Sequence, residues 1–229
     1  MTTLASLLLT DSRLPTGGHA HSGGVEAAVE RGLLRDEADL ALFLAGRLRG
    51  AGLVVAAAAS AGCLLADDIA SVDWSGWDAA VSARSPSAAA REASRAYGVT
   101  LLRTVRRVWA CAALDALAQL GRPHHPLVLG VAVAAAGDGA QLAASLAVHH
   151  LLGGACAAAV RLLGLDPIAV AAVQVGACRA GERTVADATG QARQAVARHD
   201  PRLLPSTGTP LPELLAEWHA SAEVTLFAS

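Results

Sequence analysis

Residues 87–120 read "SAAAREASRAYGVTLLRTVRRVWACAALDALAQL". Tyr97, Leu101, Val105, Val108/Trp109 and Ala112 recur every three or four positions, the spacing of one face of an α-helix. Arg91, Arg95, Arg103, Arg106 and Arg107 fall on the other faces. The pattern predicts one helix over 87–120. Gly98, inside it, marks a kink or a close approach of another backbone.

The same period extends outward in both directions. Upstream, "DEADLALFLAGRLRGAGLVVAAAASAGCLLADD" (36–68) opens with acids and places apolar residues at 40, 43/44, 48 and 54/55, as a helix entered from its negative end does. Residues 73–86, with Trp74, Trp77 and Pro86, read as a connector or short helix. Downstream, a turn over Gly121–Pro126 leads to helices over 127–136, 141–163 and 167–197. The last starts with Pro167 at its first position after Asp166. Near the N-terminus a short helical piece, 4–9, is broken by "DSRLPTGG" (11–18). Ser22 is placed to cap the next helix, with Glu26 in its first turn and Gly32 closing it.

Residues 199–212, "HDPRLLPSTGTPLP", hold four of the nine prolines and read as a loop; a short amphipathic tail follows. No stretch alternates as a strand does, and no repeat is present. The expectation is all-α: a single-domain helical bundle of roughly ten helices. Residues 1–198 form the helical domain, and 199–229 form a Pro-rich loop and C-terminal interaction tail.

Composition supports helices and removes several chemistries. Hydrophobic residues reach 53% while aromatics are 3%, so alanine supplies much of the apolar share and small residues set the packing. Lysine is absent: all 18 basic residues are arginine. A Walker A loop, a Schiff base and a lysine general base are therefore excluded. The net charge of −2 gives no field for nucleic acid. Cys63, Cys111, Cys156 and Cys178 show no CxxC spacing and read as small buried thiols of a reducing compartment. Residues 1–10 lack the features of a signal peptide. The apolar runs 51–66 and 142–160 are alanine-rich and read as buried helices of a soluble, cytoplasmic protein rather than membrane spans.

Two local patterns invite a site. "GGHAHSGG" (17–24) places His19 and His21 among four glycines, and His124/His125 and His149/His150 are paired. Adjacent histidines on a helix diverge by about 100° and seldom share one ion. No cysteine or carboxylate spacing completes a structural metal site. The glycine loop lacks the GK[ST] of a phosphate loop, and no G-x-S-x-G elbow accompanies Ser22.

Five blocks taken in order resemble the urease accessory protein UreF family: "DSRLPTGGHAHSGGVEAAVERG" (11–32), "REASRAYGVTLLR" (91–103), "HHPLVLGVAVAAAG" (124–137), "AAAVRLLGL" (157–165) and the terminal "LFAS" (226–229). The resemblance spans nearly the whole chain. It implies an all-helical, dimeric, non-enzymatic assembly factor that joins the accessory protein UreD (also called UreH) and the GTPase UreG. That assembly delivers nickel to apo-urease, with carbon dioxide for lysine carbamylation. Nickel is then handled by the assembly, and no cofactor is expected on this chain.

By the same resemblance, Gly18, His19, His21, Ser22, Gly23 and Glu26 belong to a surface that meets the GTPase. His19 stands where relatives carry an aromatic residue. Arg161 stands where the family places a basic residue facing the same partner. His219, Leu226 and Phe227 belong to the tail, the expected docking element for UreD. The chain departs from the family at its end: "HASAEVTLFAS" (219–229) lacks a glutamate and two arginines that relatives carry, and "LGLD" (163–166) replaces a common P-L-G-Q. The alternative of a different class is a helical metal-binding protein or metalloenzyme built on the paired histidines.

Overall fold

The computed structural model describes residues 3–222 apart from 12, 16–21 and 69–70. Among the described residues all regular structure is helical. The helices are α1 (Val25–Glu30), α2 (Glu37–Arg47), α3 (Leu53–Leu65), α4 (Trp74–Ser82), α5 (Ala88–Val108), α6 (Ala112–Ala118), α7 (His125–Ala135), α8 (Ala140–Leu163), α9 (Pro167–Ala197) and α10 (Pro210–Ala220). Short 3-10 turns lie at Ser6–Thr10 and Pro201–Leu203.

The centre is α3, wrapped by α7, α8 and α9. Its Ala56–Ala59 and Ala61 are fully buried. Small residues let the helix axes approach closely. A Cβ on Gly130 of α7 would collide with the Ala59 carbonyl, and one on Gly62 of α3 with the Leu127 carbonyl. The alanine-rich composition thus becomes tight backbone-to-backbone packing around α3. The helix α5 packs on α7, and α10 on α5 and α1. Gly98 proves to be a close approach: a Cβ there would strike the Pro123 carbonyl.

The predicted helix over 87–120 is two helices. Trp109 leaves the helical region at φ −128° and ψ 83°, and Cys111 is extended at φ −150° and ψ 152°. Geometry supplies the reason. In one continuous helix Leu114 and Leu117 would lie roughly 160–220° around the axis from Leu101. The break turns the chain back, and both leucines become fully buried. Val108, expected in the core stripe, is instead 46% exposed.

The segment 36–68 runs as α2, a π-helical turn at Leu48–Gly52, and α3. Thr207 Oγ1 donates to the Gly50 carbonyl at 2.9 Å, so the widened turn serves as a seat for the loop before α10. Asp36 caps α2 through Asp39 N, and Asp166 caps α9 through Ile168 N and Ala169 N.

Ser22 does not cap α1. The cap position is Gly24, at φ +91°, with no side-chain bond, and the Ser22 hydroxyl is buried without a partner among the described residues. A left-handed residue at the cap carries the chain past Ser22 before the first helical amide.

Residues 199–222 are built into the body. Leu215 is fully buried. Glu213 accepts the Ser87 N–H at 2.6 Å, and Glu217 accepts the Ser87 hydroxyl at 2.6 Å and the Ala89 N–H at 3.1 Å, so α10 supplies anions to the start of α5. The Arg84 guanidinium donates to the carbonyls of Arg202, Leu204 and Pro205. Glu37–Leu65 and Ala140–Leu163 are long and apolar enough to cross a membrane; the first is 72% buried within the fold and the second 44%.

Candidate functional site

The described part of the glycine-rich stretch, Ser22–Gly24, enters α1 where α2 and α10 converge. Gly23 adopts φ +61° against the Arg47 side chain of α2. Gly24 lies against Leu215 of α10 and Phe43 of α2. Both glycines occupy backbone conformations that side chains with a Cβ disfavour. Behind them Glu26 Oε2 meets His219 Nε2 at 2.7 Å, with both side chains only 4% exposed. The Arg31 guanidinium stacks over Trp218, 3.9 Å from the ring centre. The first turn of α1 is thereby fastened to the last turns of α10.

The candidate residues separate accordingly. Gly18, His19, His21, Leu226 and Phe227 lie outside the described residues. Ser22 is fully buried. Glu26 and His219, expected on a partner-facing surface, are instead committed to each other in the interior. A buried carboxylate needs a donor, and His219 supplies it. Gly23 underlies Arg47. Arg161 is exposed in the last turn of α8, its Nε 3.4 Å from the Ala157 carbonyl, just before Gly164 closes the helix at φ +66°. No described contact joins Arg161 to the Gly23–Gly24 corner.

The paired histidines have other occupations. His124, 1% exposed, sets its two ring nitrogens against Ser94 Oγ at 2.9 Å and Ser82 Oγ at 2.8 Å, while its backbone N–H donates to Asp78. Asp78 also holds Arg95 at 2.9 Å. Burial drives His124 down to about 4, against an opposing pull from Asp78. His125 stacks on Tyr97, ring centres 3.9 Å apart. His150 donates from Nε2 to the Leu9 carbonyl at 2.9 Å, and burial lowers it to about 4. Among the described residues no three His, Cys, Asp or Glu side chains gather where they could hold a metal ion. Burial pushes the Cys63 and Cys156 thiols up to about 11, which makes both poor nucleophiles.

The helix α8 is apolar yet less than half buried, and α9 exposes Ile168 at 80% and Val175 at 53%. Isolated exposed apolar residues are ordinary, but long helices with open apolar faces mark contact surfaces.

The UreF family model matches residues 34–177. A protein of Mycolicibacterium vanbaalenii named Urease accessory protein UreF is 42% identical over 230 residues, covering all of both chains. Proteins of the same name from Mycobacterium marinum and Mycobacterium tuberculosis are 41% and 37% identical over 233 residues, again across both full lengths.

This chain belongs to the UreF family.

Within that family frame, sequence reasoning missed Arg47 and the Glu26–His219 pair. Glu26 and His219 are 193 residues apart, and no local spacing links them. For Arg47, a guanidinium inside the amphipathic stretch 36–68 was the available signal.

Proposed function

We propose that this protein is a urease maturation factor that works by binding. It joins UreD (UreH) and the GTPase UreG, and the assembly inserts nickel into apo-urease in the cytoplasm. The observation that carries this reading is identity of 37–42% across entire chains to proteins named urease accessory proteins. The fold supports it: the described buried histidines serve structural roles, the Cys63 and Cys156 thiols are suppressed, and the open apolar faces lie on α8 and α9. Nickel is cargo here, held by the assembly.

The exposed sides of α8 and α9 fit a homodimer, because small side chains let helices meet closely with little entropy lost. The outer face of α10, with Leu211 45% and Leu214 48% exposed, offers UreD an apolar edge. Arg161 and the glycine-rich face remain the proposed GTPase contacts.

Co-expression with the cognate UreD and UreG tests this. The wild-type chain should co-elute with both as a complex containing two copies. Arg161→Glu should lower the UreG content of that complex by tenfold or more and leave UreD in place, since reversing a charge at a contact costs about 1.4 kcal/mol or more. Equal recovery of UreG with Arg161→Glu would remove that residue from the contact. No co-elution of the wild type would remove the reading itself.

A further inference from the structure

We propose that Arg47 receives a carboxylate from the GTPase partner docked at the Gly23–Gly24 corner, an inference that rests on the assembly role given above. Six other arginines, at 13, 35, 95, 106, 122 and 202, each hold a carboxylate. Arg84 spends its donors on four backbone carbonyls. Arginines without such partners, such as Arg49, Arg103 and Arg107, are exposed, and water serves them.

Arg47 has neither arrangement. Among the described residues its Nε is out of solvent with no hydrogen-bond partner, and no side chain forms an ion pair with it. Burial lowers it to about 10, with no neighbouring charge in opposition. It stays protonated at neutral pH all the same.

The guanidinium is held between Gly23 and Phe43. A Cβ on residue 23 would come within 2.5 Å of Nη1 and 3.1 Å of Cζ, and Cζ stands 5.9 Å from the centre of the Phe43 ring. The residue as a whole is half-buried, so the group keeps an opening to the surface. Glu26, the buried acid of the neighbouring helix α1, is already taken by His219.

A largely desolvated cation whose buried Nε donor is unspent weakens the free chain, because buried charges are stable only when paired. A carboxylate matches the planar fork of donors. One arginine alone competes poorly with water for a free small anion. A carboxylate carried on a docked protein arrives with its surroundings already dried, where the attraction is stronger. Gly23 then has a second role besides its backbone conformation: a side chain there would take the space that the guanidinium occupies.

The test pairs Arg47→Met with Arg47→Lys, each measured for thermal melting of the full chain and for affinity to the cognate UreG in the presence of UreD. Binding is measured at a temperature where circular dichroism shows every variant folded. Arg47→Met should melt at the same temperature as wild type or higher, yet bind at least about 30-fold more weakly. Arg47→Lys should fall between wild type and Met in affinity, keeping the charge and losing the fork. Wild-type affinity in Arg47→Met, or a melting temperature several degrees lower, would overturn the proposal. If the wild type itself does not bind UreG, the assembly reading falls and this inference with it.

Discussion

His124 shows how one side chain acquires a role from three helices. Its neighbours in sequence are His125 and Pro126, which suggest nothing but a turn. The structure brings Ser82 from α4 and Ser94 from α5 to its two ring nitrogens, and the neutral ring joins those helices to the start of α7. This fixes a pH dependence. In the unfolded chain His124 and His150 titrate near 6.5, and in the folded chain both are depressed to about 4 by burial. Between those values the unfolded state binds protons that the folded state refuses. The contribution is fully present above pH 6.5 and is lost as the pH falls from 6.5 towards 4. The slope is at most about 1.4 kcal/mol per pH unit for each histidine. Urea denaturation at pH 7.5, 6 and 5 should show falling stability. In His124→Gln the fall should be shallower; an unchanged slope would mean His124 is not buried neutral.

At the scale of elements, α10 is the instructive case. Residues 199–212, which lead into it and form its first residues, hold four prolines, and its own apolar stripe is short, so it reads from sequence as part of a Pro-rich loop and interaction tail. Partners distant in the chain hold it down: Glu26, Ser87 and the widened turn at Gly50. His219→Ala should cost about 3–5 kcal/mol, because it takes from the buried Glu26 carboxylate the ring nitrogen it meets at 2.7 Å. Replacing both members, as Glu26→Leu with His219→Leu, should cost less than that single change. A double-mutant cycle by chemical denaturation measures this, and simple additivity would show that the pair does not interact. The elements with strong local signals were legible: α9 begins and ends where Asp166, Pro167 and the last alanines say. The break between α5 and α6 was not. Local period favours one helix there, and only the burial of Leu114 and Leu117 against the rest of the fold decides otherwise.

For the whole molecule, the helical class and the family were both readable, the first from alanine-rich 3.6-residue periodicity and the second from five ordered blocks. The surface was harder to read. Helix periodicity tells which face turns inward, but not which of several outward faces meets a partner. Thus Arg161 could be placed on an exposed face, whereas Glu26 and His219 were assigned to the surface although they lie in the interior. The central claim is that this chain enables nickel insertion through assembly. Its most direct test is the nickel content and activity of urease purified from cells that lack their own UreF and express this chain with its cognate UreD and UreG. The account predicts nickel-loaded, active urease, restored only when all three are present. Folded, abundant chain beside urease that stays nickel-free and inactive would contradict it.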